Sequence, residues 1–526
     1  MIYYGSGAKT KLKSGINKLV DAVRTTLGPS GCVVVLKDGT VTKDGVTVAR
    51  SIELTDKAEN AGAQIIRQAA QQTADNAGDG STSAAVIAQA LVNEGLGMID
   101  GDGYDAQTLR RELEAARDEA LTLVDKMALP VESQKVLEQI AIISANSDIE
   151  MGEKVAEAVW EVGKTGVVMI EDGQKFGLEN EIVKGSQVDT GYVGPFMATS
   201  QSLEAIYEAT DSTEIKVLCI DYRLEKFETL LEVLGSLNRN KLVIFARGFS
   251  HEVLSGLVMN RLKAGIFTLA IALQKHDSDE ILDDIAALTG ARVIAERNGL
   301  SLEHVTLDHA GKARKILADA KRTIIREGAG EPAEYIGQLR QQLDESQDER
   351  RKKRLEHRLA RLEGKVAIIR VAAASEAELV EKKYRLDDAV CACKSALEEG
   401  IVAGGGSAYT AVAGQIVPAT NGSKLLIKAL ESPLYWIAKN AGAKPDVIVE
   451  KVKQGGGYDA RARSFEPDMV SKGIIDPAKV VKNAIQNAVS VASMVITASC
   501  VLSEDEQNTC SCNSSTPTGC HQNCQK

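Results

Sequence analysis

The sequence predicts a mixed α/β chain, mainly α, with an α/β block inserted into a helical one. Three observations carry this. Residues 10–126, 376–399, 423–441 and 477–498 read as helix, with one short β patch in the first stretch. Between about 165 and 300, short β-rich runs alternate with helical segments, as in a separate α/β unit. The composition of 45 glycines, 4% aromatic and 44% hydrophobic residues suits Ala/Val/Leu-rich packing and excludes a disordered chain. At 526 residues there is material for more than one core. The order helix, α/β, helix lets the two ends of the chain build one helical domain together.

The elements follow in order. The first helix stops at Thr26-Leu27-Gly28-Pro29-Ser30-Gly31, where Gly and Pro are stop signals. Residues 32–36 and 41–42 flank Lys37-Asp38-Gly39-Thr40, a hairpin signature. A helix near 105–128 ends before Pro130. The β-rich runs are 166–170, 216–220, 241–246 and 267–271, with helices at 225–237 and 250–263 between them. Residues 333–363 are highly charged around Ile336, Leu339, Leu343, Leu355, Leu359 and Leu362, which fits a helical hairpin or one exposed helix. No internal repeat is visible.

The net charge of -11 argues against nucleic acid or an anionic membrane as the main partner. The N-terminus has no apolar signal region and no uncharged run has the length of a membrane span, so a cytoplasmic protein is expected. Cys32, Cys219, Cys391, Cys393 and Cys500 lie in apolar or helical stretches and read as reduced thiols. Cys510, Cys512, Cys520 and Cys524, with His521, crowd the polar tail. They fit a zinc set, disulfides or an unliganded tail.

Residues 78–83, Gly-Asp-Gly-Ser-Thr-Ser, lie between two helical segments. Glycines permit close approach of a ligand, and a helix start presents free N–H groups to phosphate. Asp79 adds a hard oxygen that suits Mg2+. An ordinary capped turn satisfies the same pattern. Gly163-Lys164-Thr165 comes nearest to a phosphate-binding P-loop, but Ala158 occupies its first glycine position, so it reads as a helix end before a strand. Gly404-Gly405-Gly406 would bring backbone close to a flat or anionic ligand, or serve as a linker. Asp387 and Asp388 are adjacent on a helix, so one faces a site while the other faces away.

Together these segments resemble the bacterial-type, group I (GroEL-like) chaperonin family. The resemblance rests on Thr26-Leu27-Gly28-Pro29, Thr42-Lys43-Asp44-Gly45-Val46, residues 59–64, 78–83 and 143–147, Asp387-Asp388-Ala389, residues 398–406 and Gly473-Ile474-Ile475-Asp476-Pro477. It runs from about residue 7 to 502. It implies three domains: a helical equatorial ATP-binding domain of 1–126 and 399–526, an intermediate hinge domain of 127–183 and 367–398, and an α/β apical client-binding domain of 184–366. Pro130 and Gly400 would mark the lower hinge, Gly185 and Gly364 the upper one. The family implies a homo-oligomeric ring of seven subunits, non-native protein clients and a co-chaperonin lid.

The resemblance also implies the site. Thr26, Leu27, Gly28 and Pro29 would border the phosphates of ATP, and Lys43 would help form a K+ site. Asp79 would bind Mg2+, and Gly80, Ser81, Thr82 and Ser83 would cradle phosphate. Gly405 and Asp476 would contact the nucleotide and its ribose. Asp388 would activate water, assisted by Asp44, after its domain swings down. Asp459, Ala460 and Arg461 stand where the family's base-contacting Asn-Ala-Ala lies. Thr190 replaces a family Arg opposite Glu376. Clients would meet Tyr192, Phe196, Met197, Leu231, Leu234, Leu254, Val258 and Met259, an apolar stripe that would otherwise read as core. The expected function is ATP-driven protein folding. The alternative is a non-catalytic scaffold ring, kept open by Asp459 and Arg461. A small-molecule kinase would lack an acceptor site.

Overall fold

The computed structural model describes residues 2–502 apart from 38, 40, 146–147, 165, 174–176, 201–202, 274–276, 347 and 374. Three hydrophobic cores organise it. The first joins both ends of the chain. Helices Gly5–Val23, Lys57–Ala77, Ser81–Asp102 and Ala106–Met127 pack with Ser407–Gln415, Asn421–Leu430 and Ala478–Thr497. Ser81–Asp102 is apolar on most faces because neighbours surround it. Helices Gly5–Val23 and Lys57–Ala77 approach through glycine. A Cβ at Gly15 would meet the Glu59 carbonyl oxygen at 1.8 Å, and one at Gly62 would meet that of Leu12 at 2.3 Å. Strand Ile2–Tyr4 pairs antiparallel with Cys500–Leu502.

The second core is α/β. Strands Ile215–Leu224, Lys241–Phe249 and Thr268–Ala272 run parallel, with helices between, and Gly311–Ala318 and Thr323–Gly328 extend the sheet antiparallel. The third core packs helices Gln134–Ser144, Ile149–Val162 and Glu376–Glu399 on strands Val167–Asp172 and Lys365–Ala372. Strand Gly177–Val188 belongs to both sheets. Its residues 177–184 pair with Lys365–Ala372, and 185–188 pair with residues 323–326.

The chain passes between cores at two places, each time side by side with its return. Leu129 and Ile401 exchange both backbone hydrogen bonds, at 2.9 and 2.8 Å, next to Gly400 with φ +83°. The Gly185 N–H donates to the Gly364 carbonyl at 3.3 Å, and a Cβ on Gly364 would lie 2.8 Å from the Gly185 oxygen.

Several elements differ from the sequence reading. The helix expected over 225–237 is a 3-10 turn, Phe227–Leu230, followed by the short helix Leu231–Ser236. The stretch 423–441 splits into Asn421–Leu430 and Ser432–Asn440, with Pro433 in the second helix's first turn. The charged segment is a hairpin, Ala333–Glu345 and Glu349–Leu362. Gly163 caps a helix before a strand, and no P-loop forms there. No helix among the described residues is long and apolar enough to cross a membrane. The Cys/His tail, read as a zinc set, disulfides or an unliganded segment, lies outside the described residues, as do Asn146 and Ser147.

One buried carboxylate fastens the hairpin to the sheet. Asp284, on helix Ser278–Thr289, is fully buried and accepts from Arg358 and Arg361, each at 2.8 Å. Asp284→Ala would leave Arg361 without its carboxylate and Arg358, among the described residues, with only Glu280, 4.0 Å away. It is expected to lower stability by roughly 3–5 kcal/mol. Urea denaturation of the variant measures this, and an unchanged midpoint would show that the pair does not anchor the hairpin.

Candidate nucleotide site

The loop after the first helix is held from behind. The Asn440 side-chain amide donates to the Arg24 carbonyl at 2.9 Å and the Leu27 carbonyl at 3.0 Å. Thr26 is buried, and its hydroxyl donates to the Val23 carbonyl at 2.8 Å. Gly28 turns the backbone with φ +80°. The Pro29 carbonyl accepts from Lys43 Nζ at 3.2 Å, and Ser30 Oγ donates to the Ala460 carbonyl at 3.4 Å. Burial, and then Arg461, push the Lys43 ammonium below the usual lysine range. Residues 26–30, Lys43 and 460–461 are thus one wall.

A second wall is the Gly78-Asp79-Gly80 turn. Both glycines are left-handed, at φ +76° and +83°, and both are crowded. A Cβ on Gly78 would fall 2.0 Å from Cys391 Cβ, and one on Gly80 would fall 2.7 Å from Val480 Cγ1. Helix Ser81–Asp102 begins at Gly80 with no side-chain cap, so its first N–H groups keep their hydrogen-bonding capacity for a ligand. The Thr82 hydroxyl would lie 2.1 Å from a Cβ on Gly45, which brings helix Gly45–Ser51 against this turn. Asp44 caps that helix. Its carboxylate accepts from the Val46 N–H at 3.2 Å, the Thr47 N–H at 2.7 Å and the Thr47 hydroxyl at 2.5 Å.

Helix Glu376–Glu399 closes the cleft. Sequence reasoning kept Asp388 away from the loop until a domain swings down; here the helix is already seated. Ser395 Oγ donates to the Ala77 carbonyl at 3.1 Å, Cys391 fills the hollow over Gly78, and Lys479 pairs with Glu398 at 2.6 Å. Asp387 is exposed and Asp388 half-buried. Burial, and then Asp79, Asp44 and Asp387, push the Asp388 carboxyl up to about 8. Burial, and then Asp79, push Asp476 up to about 7. Asp79 is open to water but recessed. Burial raises it, the Gly80 N–H pulls it down, and Asp44 raises it further. Asp387 is raised to about 6 by burial, countered by Arg322 from the turn between strands Gly311–Ala318 and Thr323–Gly328.

The far end of the cleft is glycine and strand. Asp476 lies on Ile475–Pro477, paired with Ile401–Ala403. A Cβ on Gly404 would come within 3.1 Å of Asp476 Oδ1, and one on Gly405, at φ +63°, within 3.2 Å of Met469 Cε. Tyr409 was not singled out in the sequence. It is buried beside Asp476 and hydrogen-bonded to Ser83, and burial raises its hydroxyl pKa. Nothing in the sequence around Tyr409 signals this, because the contact spans remote segments.

The donor set fits a divalent cation. Asp388 is surrounded by Asp79, Asp44 and Asp387 with no basic group pulling its pKa down. Among the described residues no three carboxylate, imidazole or thiol groups form a ready-made metal cage. That suits Mg2+ held by one carboxylate with the rest of its shell supplied by phosphate and water. Lys43 contributes an ammonium, which repels K+, so only its carbonyl would serve such a site.

Asp459 Oδ1 accepts from the N–H groups of Arg461 at 2.9 Å and Ala462 at 3.0 Å, which closes its own turn. Ala460 is buried and Arg461 is exposed. Among the expected client contacts, Tyr192, Met197 and Leu234 are core. Leu234 is only 4% exposed, packed in the α/β core with Leu230, Val233 and Leu237, while Leu231 stands at the edge of that face. Tyr192 donates its hydroxyl to the Leu203 carbonyl at 2.9 Å. Leu254 and Val258 are half-buried. Leu231, Phe196 and Met259 are exposed at 52%, 45% and 44%, and so are Leu262 and Phe267, which were not singled out. Arg261 ties this surface together. Its guanidinium donates to the carbonyls of Phe196 and Ala198, both at 2.9 Å, and lies 5.3 Å from the Phe267 ring centroid.

The sequence matches the TCP-1/cpn60 chaperonin family over residues 19–240 and 236–506. The fold is similar to crystal structures of the chaperonin gp146 from the bacteriophage EL 2 (Pseudomonas aeruginosa), determined in the presence of ATP-BeFx. One crystal form superposes with a TM-score of 0.74 at 21% identity, covering 96% of this chain and 100% of that one. Another superposes with a TM-score of 0.67 at 20% identity, covering 96% and 99%.

The crowded carboxylates have a stability consequence. Asp388 keeps a proton in the folded chain that the unfolded chain releases above about pH 4. Its contribution therefore grows less favourable as pH rises from about 4 to about 8, and levels off beyond. Asp388→Asn removes this penalty. Its gain in thermal midpoint over the wild type should be larger at pH 8 than at pH 5. Equal gains at the two values would mean that the carboxyl is not crowded.

Proposed function

Since this chain belongs to the TCP-1/cpn60 chaperonin family and is a divergent GroEL-like member of it, we propose that it is an ATP-hydrolysing folding chaperonin. The observation that carries this is Asp388 standing against the Gly78-Asp79-Gly80 turn at an uncapped helix start. Phosphate would lie against the N–H groups and hydroxyls of residues 80–83, bordered by Thr26, Leu27, Gly28 and Pro29. Ribose would lie at Asp476, beside Gly405. With a cation at Asp79 offsetting the neighbouring negative charge, Asp388 would give up the proton it keeps in the empty cleft and, as a carboxylate, accept the proton of a water aligned opposite the leaving oxygen. Mg2+, held by Asp79, would neutralise charge on the phosphate oxygens. Asp44, already spent as a helix cap, would act by holding Thr47 and the first turn of its helix in place. That the phage chaperonin was crystallised in the presence of ATP-BeFx supports a nucleotide-binding reading of this fold.

The domain reading is part of the proposal: 1–126 with 399–526, 127–183 with 367–398, and 184–366. With helix Glu376–Glu399 seated, the motion that matters is its release for nucleotide exchange, about the paired strands at Leu129 and Ile401. The exposed surface of Phe196, Leu231, Met259, Leu262 and Phe267 would hold non-native protein or a co-chaperonin lid. Subunits would assemble into a ring in the cytoplasm. A second reading, a scaffold ring without turnover, is favoured by one observation: Asp459 Oδ1 is engaged by the N–H groups of its own turn, and the exposed Arg461 follows it where the family resemblance would put a small residue.

Steady-state turnover separates the two readings. Asp388→Ala should bind ATP as the wild type does and hydrolyse it roughly 10²–10⁴-fold more slowly, whereas Asp79→Ala should weaken Mg-ATP binding. Wild-type turnover in Asp388→Ala would falsify the assignment, and absence of turnover in the native protein would favour the scaffold.

Client capture has its own test. Leu231→Ser combined with Met259→Ser alters exposed residues, so it should fold, hydrolyse ATP and fail to suppress aggregation of an unfolded protein. Leu234→Ser should instead lose roughly 3–5 kcal/mol of stability, as a cavity with a stranded hydroxyl. Full aggregation suppression by the folded double variant would rule out this surface.

A further inference from the structure

Helix Glu349–Leu362, capped by Asp348 and beginning with Glu349, then carries five consecutive cations in its first two turns, Arg350 to Arg354, in a chain of net charge -11. This placement works against the helix. Its N-terminus carries the positive end of the backbone dipole, where acidic residues are preferred. Arg350 with Arg354, Arg351 with Arg354, and Arg354 with Arg358 are like-charge neighbours at i, i+3 or i, i+4, which repel. The chain settles its other arginines on this hairpin. Arg358 and Arg361 are spent on buried Asp284, and Arg340 pairs with Glu363 at 2.5 Å. Arg350, Arg351 and Arg354 are exposed and have no ion pair among the described residues. Leu355, Leu359 and Leu362 fix the opposite face in a small core, so the helix cannot rotate to relieve the repulsion.

From this we infer that the first turns of this helix are a docking surface for a carboxylate-rich segment of another polypeptide. Guanidinium groups bind carboxylates in paired hydrogen bonds, and three at helical spacing match acidic side chains on a flexible chain. A nucleic acid fits less well. Asp344, Glu345 and Asp348 directly precede the cations and would repel a continuous phosphate backbone, and the helix has no aromatic residue on which a base would stack. The hairpin belongs to the α/β block that carries the exposed apolar surface. The occupant would then be the acidic stretch of a non-native protein held there. That identity rests on the proposed client-binding function; the binding itself does not.

Fluorescence anisotropy of a labelled, unstructured glutamate-rich peptide tests it on the full chain, without nucleotide. The peptide should bind, and binding should weaken with added salt. The triple variant Arg350→Glu, Arg351→Glu, Arg354→Glu should bind at least about tenfold more weakly with no loss of thermal midpoint, since it relieves the dipole conflict. The corresponding triple lysine variant should retain most of the affinity. Asp388→Ala should bind the peptide as the wild type does, which keeps a failure of the catalytic assignment separate from a failure here. Unchanged affinity in the glutamate variant would overturn the proposal, as would tighter binding of a single-stranded RNA of equal formal charge. Should the glutamate variant not fold, the triple glutamine variant is read in its place by the same criterion.

Discussion

Everything in this fold depends on the chain leaving and re-entering each block side by side. A block inserted into another must have its two connections close together, and here each pair is made of hydrogen-bonded backbone. Leu129 and Ile401 bind each other at one passage, Gly185 and Gly364 at the other. Paired strands resist twisting apart but bend as a unit. Glycine is required where the pairing is tight, as at Gly364, whose missing Cβ leaves room for the Gly185 carbonyl. The helix bearing Asp388 hangs directly from the first passage, since Gly400 ends it and Ile401 begins the paired strand. The position of that carboxylate is therefore set by backbone geometry more than by its own contacts.

The cleft gathers negative charge from remote segments and provides little to offset it. Asp79, Asp388 and Asp476 come from three separate stretches; burial raises all three, and Asp79 raises the other two further. Such an arrangement costs stability in the empty protein. It becomes favourable only when a cation with its anionic ligand completes the site. The glycines at 45, 78 and 80 serve the same end by letting three helices converge until their starts touch.

Much of this was legible in the sequence, and the failures have physical causes. The Gly-Asp-Gly turn, the adjacent aspartates and the helix–α/β–helix order each depend on local pattern, and the structure places them together. Strands Gly177–Val188, Gly311–Ala318, Thr323–Gly328 and Lys365–Ala372 were not recognised, because they are rich in charged residues and their pairing is with distant partners. Leu234 and Met197 were placed on a surface by the family resemblance, against an apolar spacing that reads as core, and here the spacing was the better guide. Tyr409 and Asn440 carry no local signal at all; their roles exist only once segments hundreds of positions apart have met.

The antiparallel pairing of Ile2–Tyr4 with Cys500–Leu502 has a bearing on synthesis. Strand Ile2–Tyr4 finds its partner only once Cys500–Leu502 has been made, and the helices before residue 128 that pack on Ala478–Thr497 wait almost as long. The inserted α/β block is continuous in sequence and completes its core much sooner. During translation the N-terminal helices must therefore wait, with Ile16, Leu19, Ile87 and Leu91 lacking part of their cover, while a finished block downstream holds the growing chain in place. A chaperonin of this design would be, until residues 478–502 are free to pack, an aggregation-prone nascent chain in its own right.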